Sequence, residues 1–283
     1  MAANIYYLGP PGSFGEQAAL RFLNQQGRDF TLSPLPAHSS IVHAVNESSD
    51  DYGVVAIENS LEGAVNETMD AILHEQNVWV CHEIVLSIEQ QLITAPDLDF
   101  DDIQVVMSHP QGLAQCRRFL ESRLPHVRFE AALSTAGAVE EALRTPGAAA
   151  IASRLAAEIL GGTIIAENIQ DADNNKTRFF VLARSDAEPT GDDKTSIAFT
   201  IPDRPGSVVS VMQEFSSRGI NLTRIESRPS REELGKYVFL LDFQGHRTDA
   251  RPKEALAAMV ESGALLLPEG RPLGSYPRFA DPV

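Results

Sequence analysis

Five times in the first two-thirds of the chain, an apolar run stops at a small polar residue and a helical pattern begins. Leu8 leads through Gly9-Pro10-Pro11-Gly12 to Ser13, with Glu16 three residues on, the spacing of a capping box. Ile57 leads to Glu58-Asn59-Ser60 and a helix over 64–73, and Met107 leads to Ser108, with Gln111 three residues on and a helix reaching Leu124. The run Phe129–Leu133 leads to Ser134-Thr135 and a helix ending at Arg144; Ile151 leads to Ser153 and a helix stopped by Gly161-Gly162. Each helix start offers unpaired N–H groups and the positive end of a dipole. Several around one cleft would bind an anion with few Lys or Arg. A plainer reading is also open, because strand-to-helix turns in any α/β protein need caps.

Other chemistries are excluded by spacing. Gly9, Gly12 and Gly15 read G-x-x-G-x-x-G, which is not the dinucleotide fingerprint. The segment opening at Asp171-Ala-Asp173-Asn-Asn175 begins like a calcium loop, but Lys176 stands where glycine is needed and Leu182 where glutamate is needed. The seven histidines form no i, i+4 pair and neither cysteine has a metal-spaced partner. There is no G-x-S-x-G elbow. The expectation is therefore no metal, no cofactor and no covalent nucleophile.

Charge narrows the partners. Against 23 Lys plus Arg stand 39 Asp plus Glu, a formal charge of −16, which repels nucleic acid and anionic membrane alike. An anionic substrate must then be held by local donors working against the overall field. Two cysteines, Cys81 and Cys116, each in an apolar segment, fit reduced thiols in the cytoplasm better than a disulfide scaffold. The N-terminus shows no charged leader or long apolar region, and no stretch approaches the ~20 apolar residues of a membrane span.

The elements that must position these residues follow from pattern. Strands are predicted at Asn4–Leu8, Tyr52–Ile57, Val78–Val85, Gln90–Thr94, Val105–Met107, Ala149–Ala152, Thr163–Ala166 and Thr177–Ala183, with helices between many of them, so the class is α/β. A polar, Pro- and Gly-bearing run over 185–193 reads as a linker. Beyond it the order is β (Thr195–Ile201), α (Ser207–Arg218), β (Asn221–Arg228), β (Lys236–Phe243), α (Arg251–Ser262), β (Leu265–Leu267), the βαββαβ order of a ferredoxin-like domain. From Glu269 onward the chain is Pro- and Gly-rich without periodicity and reads as a tail.

Taken together, these segments resemble the prephenate dehydratase family. Tyr7-Leu-Gly-Pro-Pro-Gly-Ser-Phe-Gly15 is similar to its N-terminal signature, and Ala56-Ile-Glu-Asn-Ser60 with Gly63 to its Glu-Asn-Ser motif. Ser108-His-Pro-Gln111 with Ala114-Gln-Cys116, and Ser134-Thr-Ala136, resemble two further blocks; Asn175-Lys-Thr-Arg-Phe179 is the sharpest match. Asp203-Arg-Pro-Gly206 and Glu226-Ser-Arg-Pro229 resemble the phenylalanine-site motifs of the family's ACT domain. The resemblance runs from about Tyr6 to Leu267, in order. Three departures stand out: Gly12-Ser-Phe-Gly15 replaces the usual Gly-Thr-Phe-Ser, Ala56 replaces a frequent proline, and Gly206-Ser-Val208 replaces Gly-Ala-Leu. The last bears on effector affinity more than on chemistry.

The resemblance implies a two-lobed, periplasmic-binding-protein-like catalytic domain over 1–184, with lobe one about 1–86 and 162–184 and lobe two about 87–161. The linker (185–193), an ACT regulatory domain (194–268) and the tail (269–283) follow. It implies decarboxylating dehydration of prephenate to phenylpyruvate, allosteric control by L-phenylalanine, and a homodimer or homotetramer. Thr177 would donate to the leaving hydroxyl, with Arg178 and Phe179 beside it; Thr177 and Phe179 share a strand face, with Arg178 opposite. Substrate holders would come from Ser13, Glu58, Asn59, Ser60, Ser108, His109, Gln111, Ser134, Thr135 and Asn175. Arg178 is open to two roles, contact with substrate or bracing. His109 and Gln111 are open to capping as well as ligand contact, and Glu58 to a plain surface role. Effector contacts would come from Arg204, Pro205, Gly206, Ser207, Val208, Glu226, Ser227, Arg228 and Pro229; a solvated strand edge is the bland alternative for Glu226 and Arg228. Rival functions are an arogenate dehydratase and a non-catalytic amino-acid-sensing binding protein. With the first strand starting at residue 4, no N-terminal helical mutase is expected.

Overall fold

The computed structural model describes residues 3–27, 29–230 and 235–279. Strand β1 (Ala3–Leu8) buries Ile5 and Tyr7 and leads to helix α1 (Phe14–Leu23), which buries Ala18, Ala19 and Phe22. Strand β2 (Phe30–Leu35), helix α2 (His38–Glu47), strands β3 (Tyr52–Asn59) and β4 (Gly63–Ala64), helix α3 (Asn66–His74) and strand β5 (Trp79–Ser87) follow. The chain then builds a second sheet from β6 (Gln91–Thr94), β7 (Val105–Ser108), α4 (Pro110–Gln115), α5 (Arg117–Arg123), β8 (Arg128–Ala131), α6 (Thr135–Ala142), β9 (Ala148–Ala152), α7 (Arg154–Leu160) and β10 (Thr163–Ala166). Strand β11 (Lys176–Ala183) returns to the first sheet, whose order is β2-β1-β3-β11-β5 with β4 on β3.

The second sheet runs β10-β6-β9-β7-β8, and its central strands β6, β9 and β7 are apolar on both faces. Leu92, Val106, Ala149 and Ile151 pack with Cys116, Leu120 and Leu124; Ile93, Val105, Met107, Ala148 and Ala150 pack with α6 and α7. Coverage from both sides explains why β9, Ala-Ala-Ala-Ile-Ala, shows no alternation. Segment 163–166, expected in the returning part of lobe one, instead pairs antiparallel with β6, Thr163 opposite Thr94. Its pairing partner lies some seventy residues back, beyond the reach of local pattern.

Ser153 ties the end of β9 to the loop after β1. Ser153 Oγ accepts from Ala156 N at 3.1 Å, capping α7, and donates to the Gly12 carbonyl at 2.7 Å. Gly12 has φ +86°, and a Cβ there would lie 2.8 Å from Ala156 Cα, so only glycine fits. The loop's other amide partner is Glu16, whose carboxylate accepts from Gly12 N (2.5 Å) and from the Tyr7 hydroxyl (3.1 Å).

The C-terminal part comprises β12 (Asp193–Thr200), α8 (Ser207–Ser216), β13 (Leu222–Pro229), β14 (Tyr237–Gln244), α9 (Ala250–Glu261) and β15 (Leu265–Leu267), in the expected βαββαβ order. Its sheet runs β13-β14-β12-β15, and Ile197, Phe199, Val211, Phe215, Leu241, Phe243 and Met259 form its core. The segment read as a tail adds a strand, β16 (Gly274–Pro277), antiparallel to β12. Tyr276 is fully buried there and packs against Phe180.

Contacts divide the chain into two compact units: Met1–Ile41, Val54–Val65 and Val85–Phe179 form one, and Val42–Gly53, Asn66–Ile84 and Phe180–Val283 the other. Strands β3, β5 and β11 pass from one to the other. The second unit is rich in ion pairs. Lys194 Nζ meets Glu83 at 2.8 Å, Arg228 bonds to the Asp70 carboxylate and the Asn66 carbonyl, and Arg247 forks onto Asp186. Arg271 lies 4.0 Å over the Trp79 ring. Among the described residues, no helix is long and apolar enough to cross a membrane.

Candidate active site

A cavity of about 400 Å³ lies within the first unit. Three helix starts meet there: Ser13-Phe14-Gly15 of α1, His109 with Gln111-Gly112 of α4, and Ser134-Thr135 of α6. Their approach is close, since a Cβ on Gly112 would fall 2.5 Å from Ser108 Oγ and 3.4 Å from the Thr135 methyl. Gln90, Gln115, His38, Asn59, Thr177 and Phe179 complete the polar and aromatic lining. Among the described residues that line it, none is Asp, Glu, Lys or Arg. Any anion seated here meets helix N–H dipoles, hydroxyls, amides and two histidine rings.

The caps form as their spacing predicts at two of these helices. Ser13 Oγ accepts from Glu16 N (3.2 Å) and Ser134 Oγ from Gly137 N (3.0 Å). At α4 the expected cap fails. Ser108 is fully buried and its hydroxyl donates to Ile151 O at 2.7 Å, while His109 Nδ1 takes the capping bond from Gln111 N at 3.3 Å. Pro110 at the first helical position moves the cap one residue along. The expected helix to Leu124 also breaks, into α4 and α5, at Cys116.

Around Thr177 the strand alternates as expected: Thr177 and Phe179 line the cavity and Arg178 points away, 3.8 Å from Glu58. Of the two roles open to Arg178, bracing matches its position, and Glu58 is its partner. Asn59 is the organising residue. Its Oδ1 accepts from Leu61 N (2.9 Å) and Glu62 N (3.0 Å), closing the turn after β3. Its Nδ2 donates to Asn175 Oδ1 (2.8 Å) and Thr177 Oγ1 (2.9 Å). With its oxygen accepting from Asn59, the Thr177 hydroxyl is left to donate its own proton into the cavity.

Ser60 and Asn175, candidates for substrate contact, do not line this cavity. Ser60 Oγ donates to Asn174 O and accepts from Lys176 N, both at 2.9 Å, tying the turn after β3 to the start of β11. Asn175 is buried behind Asn59. Glu58 and Ser108 likewise sit outside the lining. Sequence reasoning missed Gln90, just before β6, and His38, the first residue of α2; a single polar residue facing inward at the edge of an element carries no periodic signal. Gln115 stands in a quoted motif, yet only the structure turns it into the cavity.

In the second unit, Asp203, Arg204, Ser207 and Val208 line a cavity of about 620 Å³ with Ser230, Lys236, Tyr237, Phe239 and Leu265. Gly206 takes φ +87° before α8. Glu226, Ser227, Arg228 and Pro229 lie on β13, outside that lining; Glu226 pairs with Arg224 at 2.5 Å.

Fold and site together define a two-lobed α/β enzyme whose cavity is lined by helix starts, joined to a ferredoxin-like module. Residues 5–187 match the family Prephenate dehydratase and residues 195–261 match the ACT domain. A bifunctional chorismate mutase/prephenate dehydratase of Aquifex aeolicus is 42% identical, over 97% of this chain and 73% of its own. A prephenate dehydratase of Mycobacterium sp. (strain JLS) is 38% identical, over 96% of this chain and 88% of its own. Among solved structures, the prephenate dehydratase of Arthrobacter aurescens in complex with L-Phe superposes with a TM-score of 0.85 at 35% identity, covering 98% of this chain and 90% of that one. This chain belongs to the prephenate dehydratase family, and its reaction class is that of a carbon–oxygen lyase.

Proposed function

We propose that the chain converts prephenate to phenylpyruvate, with Thr177 as donor to the departing hydroxyl, and that L-phenylalanine controls it through the ACT domain. Loss of CO2 and hydroxide makes the ring aromatic, so the driving force is internal to the substrate. The protein must hold two carboxylates and help one hydroxyl leave. The observation that carries the reading is the Asn59–Thr177 bond inside a cavity whose described lining has no Asp, Glu, Lys or Arg. Asn59 fixes the threonine oxygen as an acceptor, which aims the hydroxyl proton outward at the substrate. A free threonine is a feeble acid, so Thr177 positions and relays a proton that water or a neighbour resupplies. The starts of α1, α4 and α6, with Ser13, His109, Gln111, Ser134 and Thr135, hold the carboxylates. Arg178, braced by Glu58, and the Ser60 and Asn175 bonds keep β11 in register. Phe179 packs beside the ring.

The domain plan that accompanies this reading is a catalytic domain over 1–184 and an ACT domain over 194–268. Phenylalanine would seat its carboxylate on the Gly206–Ser207 turn, beside Arg204, Pro205 and Val208, with acceptors from Glu226–Pro229 of a second subunit. Strand β13 supports a homodimer, since it is an edge strand carrying a half-exposed Ile225. Cytoplasmic location fits the two free thiols, both pushed up to about 12 by burial.

The test is turnover of prephenate and of arogenate by the full chain, with and without L-phenylalanine. Phenylpyruvate formation that phenylalanine lowers is the expected result. Faster turnover of arogenate would reassign the substrate, and no turnover of either, with phenylalanine still bound, would leave a sensor.

A further inference from the structure

We propose that Gln90 holds the substrate's ring hydroxyl, taking its hydrogen on Oε1; this rests on the reading of the cavity as a prephenate site. Gln90 lines the cavity yet is only 2% exposed. Its backbone is fixed on both sides, N–H to Gln170 Oε1 at 2.9 Å and carbonyl from Ile169 N at 2.9 Å. Its side-chain amide is fixed too, Nε2 donating to Gln115 Oε1 at 3.2 Å. Of its polar atoms, Oε1 is buried with no hydrogen-bond partner among the described residues.

A buried acceptor left unsatisfied is costly, and a methionine or leucine would fill the same space without that cost. The position therefore makes sense once a donor arrives. Prephenate brings one neutral donor, the ring hydroxyl; its other polar groups, two carboxylates and a ketone, only accept and would be repelled by an amide oxygen. The arrangement also suits the chemistry. A hydroxyl that donates a hydrogen bond becomes a better acceptor at its own oxygen. With its hydrogen on Gln90 and its oxygen facing Thr177 across the same cavity, the hydroxyl is held ready to take the proton that turns it into water. Gln90 is thus a second, opposing contact on the leaving group.

The product supplies the control, because phenylpyruvate keeps the pyruvyl group and the ring but has lost the hydroxyl. In steady-state assays of the full chain, Gln90→Met should lower kcat/KM for prephenate by roughly 10- to 100-fold while the inhibition constant of phenylpyruvate moves by less than about twofold. Gln90→Glu, which keeps an acceptor at that place, should weaken both ligands through its charge but retain the ratio between them. Gln90→Leu repeats the first measurement should the methionine variant not fold. Equal loss for prephenate and phenylpyruvate, or no loss for either, overturns the assignment and leaves Gln90 as a packing residue. Wild-type enzyme inert toward prephenate would instead sink the parent reading and the assignment with it.

Discussion

The two compact units differ in where they put polar groups: the first lines a cavity with neutral ones, and the second buries several charged pairs. The first gathers helix starts, hydroxyls and amides around a cavity lined by none of the four charged residue types. The second is held by charged pairs: Lys194 with Glu83, Arg228 with Asp70, Arg247 with Asp186. For a chain of charge −16 the division is informative. Fixed dipoles attract a carboxylate without adding cations that surrounding acids would neutralise. In the second unit the buried charges named here bind each other.

The largest effect should come from breaking a pair in the second unit. Glu83 is 1% exposed, so Lys194→Met leaves a buried carboxylate facing an apolar side chain. Denaturant unfolding should show a loss of about 3–5 kcal/mol. An unchanged midpoint would mean that solvent reaches Glu83 and that the contrast between the units is false.

Thr177→Ala comes next, with kcat falling at least ~10²-fold and KM little changed, while Thr177→Ser keeps much of the rate. Asn59→Ala should resemble Thr177→Ala in kcat, since the threonine then loses its orienting donor. Equal damage from Thr177→Ala and Thr177→Ser would show that the hydroxyl is not what matters.

A pH titration of stability separates the units more finely. Burial lowers the pKa of His82 below 6.5, with Glu83 opposing. Its folded form therefore resists protonation, and the unfolded chain binds more protons as pH falls below about 6.5. Stability contributed by neutral His82 should be whole above that pH and decline toward its folded pKa. His82→Gln should flatten that limb of the curve; an unaltered slope assigns the acid loss to other groups. The smallest expected change is in salt response. Raising ionic strength from low to moderate should alter kcat/KM by less than about threefold, because dipoles at contact distance are poorly screened. A steep fall would reveal a cationic approach path.

Much of this was readable in the sequence because it is local. Ser13, Ser134 and Ser153 cap helices where a small polar residue ends an apolar run, and the βαββαβ order follows from period and turn residues. What escaped is set by distant partners. Strand β2 carries Pro34 and polar residues, and its edge place beside β1 alone makes it a strand. Strand β16 hides in a Pro- and Gly-rich segment and exists because β12 offers it a ladder. Ser108 resembles a cap in every local respect, yet its hydroxyl is claimed by Ile151 across the sheet. Gln90 shows nothing in sequence to mark a buried, half-satisfied amide.

Ser153 has a mechanical consequence. Its hydroxyl is at once the cap of α7 and the fastening on Gly12, so pulling the two sheets apart there would also uncap a helix. Opening at that point costs both bonds, about 1 kcal/mol each. Leu133, wholly exposed on the cavity lining, moves on the picosecond-to-nanosecond scale of free side chains, far faster than any rotation of a lobe. Parting the sheets at Gly12 and fraying the start of α7 are one coupled event.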